Sequence, residues 1–415
     1  MRLKKLFFIF IIIFFTNIFY CNYSYATIFN ANSPSAILLN SNTGKILYEK
    51  NAYTKMYPAS TTKIMTAILV LENCNLSDTA IVSENATILP SGYIGASLQI
   101  GEELSIKDLL YLLLLASAND SAIVLAEHVG GSVDNFADMM NSKAKEIGCL
   151  NTHFVNPNGI HNTNHYSTAY DLALIGKYAM ANDVFKDIVS CKFYTVKATN
   201  KYQERNIYNT NKLLHESNPK NTDEANIFYY NYVTGIKTGY TTVAKNCLVA
   251  SAKKDDVEYI AVILGSDEYE DNYNSQRYSD AKNLFSNAID NYCLSTIKKS
   301  GDIITNLEIQ NGDFLRKNLD LKLKNDIKIL IKNEDLNIEL TPEVILNTDA
   351  LQAPISKGDV LGSVTYVYDN ISYSEDIIAS HDVSTNEQMS FYFKLALGSL
   401  IIIFTFTFYE TLRKK

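Results

Sequence analysis

Tyr57-Pro58-Ala59-Ser60-Thr61-Thr62-Lys63, followed by Ile64-Met65-Thr66-Ala67-Ile68-Leu69-Val70-Leu71, is the stretch on which the rest of the chain turns. Ile64, Ile68 and Leu71 fall at i, i+4 and i+7, the spacing of an amphipathic or buried helix. Pro58 and Ser60 read as start signals for it. Residues three apart on a helix share a face, so Ser60 would hold its hydroxyl beside the Lys63 amine. A serine hydroxyl attacks a carbonyl at neutral pH only with a base in reach. A lysine serves as that base when burial or a nearby cation lowers its pKa. The apolar run behind Lys63 makes burial the expectation.

The spacing by itself decides little. Ser-x-x-Lys recurs at Ser142/Lys145, Ser217/Lys220, Ser251/Lys254, Ser279/Lys282 and Ser295/Lys298, where an exposed helix or loop pair is the ordinary reading. What singles out Ser60 is its company along the chain.

Upstream, Ala36-Ile37-Leu38-Leu39 and Ile46-Leu47-Tyr48 flank Asn40-Ser41-Asn42-Thr43-Gly44, which predicts a hairpin. Downstream, Ser105 with Asp108 resembles a capping box before the apolar run Leu109 to Leu115. A second helix is expected from Ser121 to Val129, so Ser117 and Asn119 fall in a break where polar side chains can face a cleft. Asn156-Pro157-Asn158-Gly159 reads as a turn and Thr168 to Ala181 as a helix. Residues 195–230 are polar and poorly periodic, which predicts loop and short elements. Val233 to Thr241, Cys247 to Ala252 and Tyr259 to Leu264 read as adjacent antiparallel strands, and Ala281 to Tyr292 as a closing helix.

Composition shifts near Ser300. Ile327 to Ile331, Leu336 to Leu340 and Val360 to Tyr368 are apolar runs between Gly, Pro and Asn turns, the pattern of a small all-β domain over 300–380. A polar spacer over 381–390 leads to Phe391–Tyr409, whose sole charge is Lys394. That run is long enough to cross a bilayer. Lys394 near one end can snorkel to the interface. The basic tail over 410–415 should then stay cytoplasmic, and a helix lying on the membrane surface is the alternative. The N-terminus carries Arg2, Lys4 and Lys5, an apolar region from Leu6 to Phe15, and Ser24-Tyr25-Ala26, a signal-peptide pattern over 1–26. The body over 27–293 would sit outside the cell.

Composition narrows the classes. A formal net charge of −8 gives no reason to expect nucleic-acid binding. Five of the six cysteines lie beyond the signal region, with no close spacing, so buried thiols fit better than a disulfide framework or a zinc site. His161 and His165 are four apart but follow Asn158-Gly159, and structural contacts are expected of them rather than metal ligation. No metal and no cofactor is expected.

Three short motifs now stand in order: Ser60-Thr61-Thr62-Lys63, Ser117-Ala118-Asn119 and Lys237-Thr238-Gly239. The middle one has decoys at Ser83/Asn85 and Ser384/Asn386; the last occurs once. The set resembles the active-site motifs of penicillin-binding proteins and serine β-lactamases. The neighbourhoods YPASTTKIMTA, LLLASANDSAIVLAEHVGG, FVNPNGIH, STAYDLALIGKYA and GIKTGYT…CLVASA are similar to the D-alanyl-D-alanine carboxypeptidases, serine peptidases of the S11 type. That resemblance covers about residues 30–290 and continues more loosely through LQAPISKGDVLGSV.

It implies an α+β transpeptidase-like fold, an antiparallel sheet with helices on both sides, followed by the β-rich domain. It also implies removal of the terminal D-alanine from peptidoglycan stem pentapeptides through an acyl-enzyme on Ser60, and covalent inhibition by β-lactams. Lys63 would take the Ser60 proton, and Ser117 would pass one to the leaving amine. Lys237 would add positive charge nearby and, by repulsion, help keep Lys63 neutral. Asn119 would hold Lys63 and the substrate amide. The Lys237–Gly239 strand would bind an extended peptide by its edge. The backbone N–H groups of Ser60 and Tyr240 would form an oxyanion hole, and Thr238, Lys237 and Arg277 would receive the terminal carboxylate. Many relatives carry His where this chain has Tyr240, which implies a changed rate or pH profile. A serine β-lactamase and a non-enzymatic wall-binding scaffold are the competing readings; the full motif set argues against the scaffold.

Overall fold

The structure is a computed structural model, and it describes residues 29–218, 221–267, 276–312, 318–348 and 350–413. The signal-peptide expectation over 1–26, most of the acidic loop before Arg277, and Lys414 and Lys415 lie outside the described residues. The chain divides into two compact units. The first takes in most of the chain up to Asn287; the second takes in 288–415 together with the short segments 39–47 and 252–259.

A five-stranded sheet anchors the first unit. The hairpin strands are β1 (Ser35–Asn40) and β2 (Ile46–Lys50). The nucleophile stretch opens as a 3-10 turn, Ala59–Thr62, before α1 (Lys63–Asn73). Helices α2 (Ile106–Leu114), α3 (Asn119–Gly130), α4 (Val133–Ile147), α5 (Ala169–Ala179) and α6 (Asp183–Ser190) follow. Then come β3 (Val233–Thr241), β4 (Lys245–Lys254), β5 (Val257–Ser266) and α7 (Gln276–Asn291). The sheet order is β2-β1-β5-β4-β3, so β3, which carries Lys237-Thr238-Gly239, lies at an edge.

Sequence explains most of this. Strands β4 and β5 are buried along nearly their whole length, which fits their continuous apolar runs. Connections of three and two residues join β3 to β4 and β4 to β5, short enough for hairpins alone. Helix α2 starts where Ser105 accepts the Asp108 N–H, the expected cap. Helix α1 is buried from Lys63 through Val70 and forms the centre of the core. Helix α7 begins at Gln276, ahead of the expected Ala281, because its first turns are polar and hide the periodicity.

The second unit is β-rich. Strand β6 (Tyr292–Lys298) follows α7 directly and pairs antiparallel with β9 (Ile327–Lys332). A five-stranded antiparallel sheet runs in the order β7 (Ile303–Glu308), β8 (Asn318–Leu323), β12 (Ile371–Ala379), β11 (Val360–Tyr368) and β10 (Glu343–Leu346). Leu319, Leu321 and Leu323 alternate with less buried neighbours on β8 and pack with Ile329, Ile331, Val364 and Ile377. The expected strand at Leu336 to Leu340 is instead irregular, since the 3-10 turn Asn333–Asp335 interrupts the chain just before it. Helix α8 (Asn386–Arg413) carries a window long and apolar enough to cross a membrane, none of it buried in the protein.

Candidate active site

The three motif segments meet, with others, at one cleft of about 400 Å³ in the first unit. Ser60, Ser117, Asn119, Thr238, Gly239, Tyr240 and Arg277 all line it. Lys63 and Lys237 stand behind its wall, 0% and 1% exposed.

The Ser60 turn is shaped by its own sequence. Pro58 holds its carbonyl for the Thr61 N–H at 3.3 Å and the Thr61 hydroxyl at 2.7 Å. Ala59 sits at φ 49°, a left-handed conformation costing a non-glycine residue about 1–3 kcal/mol. The combined effect turns Ser60 partly into the cleft while Lys63 points into the core. The expected first α-helical turn is therefore a 3-10 turn, and neither Pro58 nor Ser60 caps α1 through a side chain. Ser117, at φ 61°, is likewise left-handed, in the break between α2 and α3. Asn119, expected in that break, is instead the first residue of α3.

Lys63 Nζ has three polar neighbours: Ser60 Oγ at 3.0 Å, Asn119 Oδ1 at 2.8 Å and the Asn158 carbonyl at 2.6 Å. The last two can only accept. Asn119 is fixed in that orientation because its Nδ2 donates to the Ile94 carbonyl at 2.8 Å. A neutral amine has two N–H groups and one lone pair. With both N–H groups committed to the carbonyl oxygens, the lone pair faces the Ser60 hydroxyl. Burial is the larger reason that the Lys63 pKa lies well below the ordinary lysine range, and repulsion from Lys237 adds to it. Like-charge repulsion, expected from the sequence, is thus the lesser cause. Lys237 is itself lowered to about 7, by burial first and the Arg277 charge second.

The Asn158 carbonyl escaped a reading based on side chains. The Asn156–Gly159 turn holds it: Asn156 Oδ1 accepts the Gly159 N–H at 2.7 Å, and the Pro157 carbonyl accepts the Thr66 hydroxyl at 2.6 Å. Gly159 is required there. Its φ is +80° and a Cβ would lie 1.9 Å from the Ala59 carbonyl oxygen. His165 braces the same turn region from behind Ser60, accepting the Val155 N–H at Nδ1 and donating from Nε2 to the Thr62 hydroxyl at 2.8 Å. Burial first, and then His153, His161 and Lys63, lower its pKa to about 3, so it stays neutral. His161 packs edge-on against Tyr57 at 4.6 Å. Among the described residues, no group of three or more His, Cys, Asp or Glu side chains could hold a metal ion.

Strand β3 closes the cleft from the other side. A Cβ on Gly239 would lie 3.0 Å from the Ser60 nitrogen and 3.1 Å from the Pro58 oxygen, so glycine lets the strand approach the nucleophile turn. Lys237 Nζ donates to the Thr238 carbonyl at 3.0 Å. Arg277 Nη1 donates to the Gly239 carbonyl at 3.0 Å, and its Nε has no hydrogen-bond partner among the described residues. Every residue singled out by the motifs therefore lines the cleft or stands directly behind it. The sequence reading missed the Asn158 carbonyl and Thr210, whose hydroxyl lies 2.7 Å from that of Thr238. Thr210 falls in the stretch that periodicity could not interpret.

Comparison with known proteins bears on the family and the fold. Residues 24–268 match the family model described as D-alanyl-D-alanine carboxypeptidase, and residues 292–385 match the penicillin-binding protein 5 C-terminal domain. The D-alanyl-D-alanine carboxypeptidase DacF of Bacillus subtilis is 34% identical over 363 residues, covering 86% of each chain. DacC of Escherichia coli is 30% identical over 345 residues, covering 80% of this chain and 78% of its own. The crystal structure of penicillin-binding protein 5 from Haemophilus influenzae superimposes with a TM-score of 0.67 at 28% identity, covering 86% of this chain and 98% of that one.

Proposed function

The chain belongs to the D-alanyl-D-alanine carboxypeptidase family, a family of serine carboxypeptidases, and we propose that Ser60 is the nucleophile through which it acts. The carrying observation is the Lys63 amine, fully buried, 3.0 Å from Ser60 Oγ and with both its N–H groups occupied by carbonyl oxygens. Such a base contributes about 10²–10⁴-fold to the rate.

In the proposed reaction Ser60 Oγ attacks the carbonyl between two terminal D-alanines, and its proton passes to Lys63. The backbone N–H groups of Ser60 and Tyr240 take the developing oxyanion, each worth about 3 kcal/mol. Ser117 relays that proton from Lys63 to the departing amine as the C–N bond breaks, and D-alanine leaves. Water then attacks the ester on Ser60, giving its proton to Lys63, which returns it to Ser60 Oγ as the ester C–O bond breaks and the shortened peptide is released. Thr238 and Arg277 meet the terminal carboxylate, with the Lys237 charge behind them. A serine β-lactamase would share the acylation half of this scheme; the match of residues 292–385 to the penicillin-binding protein 5 C-terminal domain favours the peptidase.

We further propose that α8 anchors the enzyme at the outer face of the cell membrane through Phe391–Tyr409, after removal of a signal peptide over 1–26. At about 1.5 Å per residue the 28-residue helix is about 42 Å long, against a bilayer core of about 30 Å. The catalytic body over 27–293 and the β-rich domain over 300–380 would then face the wall, with 381–390 as spacer and 410–415 on the cytoplasmic side.

The test is mass spectrometry of muropeptides incubated with the detergent-solubilised protein. Loss of one D-alanine from pentapeptides, with none in Ser60→Ala, is the expected result. Intact pentapeptides with the wild-type protein would overturn the reading.

A further inference from the structure

The motifs that form the cleft leave several of its polar side chains without a role, Thr210 among them. Thr210 Oγ1 lies 2.7 Å from Thr238 Oγ1, on the cleft wall that also carries Ser60 and Arg277. Its backbone is tied to two of the other cleft segments. The Thr210 N–H donates to the Leu115 carbonyl at 3.1 Å, two residues before Ser117. The Thr210 carbonyl accepts from Tyr278 Oη at 3.1 Å, next to Arg277. Thr210 is thus held by the segments that carry Ser117 and Arg277 while its hydroxyl meets Thr238.

Two hydroxyls that share one hydrogen bond must divide the roles of donor and acceptor. A carboxylate accepts and cannot donate. If Thr238 gives its proton to a carboxylate, it must accept the one from Thr210. That acceptance polarises the Thr238 O–H and strengthens its own donation. Without Thr210, the Thr238 hydroxyl can rotate away.

From this geometry we infer that Thr210 is a positioning residue that sets the Thr238 hydroxyl as a donor to the substrate's terminal carboxylate. The inference rests on the peptidase reading above and adds a determinant of specificity for a free C-terminal carboxylate. Its consequences are confined to acylation, because the carboxylate leaves with the released D-alanine and is absent from the ester that water attacks.

The experiment compares Thr210→Val, which keeps the shape and removes the hydroxyl, with Thr210→Ser, which keeps the hydroxyl. Two acyl-D-alanyl thioesters serve as substrates in the full-length protein, one with a carboxylate on the leaving group and one without. Thr210→Val should lower kcat/KM for the carboxylate-bearing thioester by about 5-fold, the scale of one hydrogen bond. It should leave the carboxylate-free thioester within about 2-fold, and Thr210→Ser should restore the difference. An equal loss on both thioesters would mean a structural role, and no loss on either would mean no role; each overturns the inference while leaving Ser60 in place. A wild-type protein inactive on both would instead sink the peptidase reading, and this inference with it.

Discussion

The two units of the chain build their cores from different materials. In the first, the centre holds Lys63, Thr66 and Lys237 at 0–1% exposure, and a Glu102–Arg205 ion pair at 2.7 Å is buried as well. From Tyr292 to Ala379 the buried side chains among the described residues are aliphatic or tyrosine, in strands that alternate in and out. Burying an amine costs stability unless its hydrogen bonds are supplied and its charge is given up. Lys63 meets both conditions, and the same two conditions suit it to the role of base proposed above. Among the described residues from Tyr292 to Ala379 no amine is buried, and the sheet there contributes by burial. On this reading the polar atoms around Lys63 serve chemistry, and the apolar packing from Tyr292 to Ala379 serves stability.

The contrast is broken most directly by Lys63→Met, which keeps length and apolar stem and removes the amine. Acylation by a fluorescent penicillin should slow by about 10³-fold, within the range for loss of a general base. Stopped-flow or gel-based labelling measures it, and a loss under tenfold would mean that some other group takes the Ser60 proton. Leu321→Ala is the converse. It opens a cavity in the β-rich core and should cost about 2–5 kcal/mol of that unit's stability. Urea or thermal unfolding should register that cost, while kcat/KM on a soluble peptide stays within about 2-fold, because Leu321 packs within the core of the β-rich unit and the cleft lies in the first. Lost activity without lost stability would erase the distinction.

The smallest effect is in pH. Lys63 must be neutral to act, so activity falls as pH drops through its lowered pKa. Lys237 must be charged to attract a carboxylate, so activity falls as pH rises through its value of about 7 in the free enzyme. The kcat/KM profile for carboxylate-bearing substrates should therefore be bell-shaped, with Lys237→Arg abolishing the alkaline limb, since arginine keeps its proton. For stability the sign is opposite to that of the alkaline limb. From about 7 up to the ordinary lysine range the unfolded chain binds the extra proton, so Lys237 makes the fold more stable as pH rises.

Much of this was legible in the sequence. The Ser60, Ser117 and Lys237 motifs, the strand character of 233–264 and the hairpin at 36–48 all follow from residue type and period. Their meeting does not follow from spacing, since Ser60 and Lys237 are brought together by the edge position of β3. What stayed hidden was carried by backbone. The Asn158 carbonyl has no side-chain signature, and the left-handed Ala59 and Ser117 occupy conformations that neither residue type announces. Thr210 was obscured by a stretch of short strands and turns whose order comes from tertiary hydrogen bonds rather than from hydrophobic period.

The central claim is that one hydroxyl is stripped of its proton by one buried amine, and it is tested by locating the covalent bond. Peptide mapping after reaction with a penicillin should place the acyl group on the fragment holding Ser60, and Ser60→Ala should carry none. An adduct on any other residue, or labelling that survives Ser60→Ala, would contradict the account.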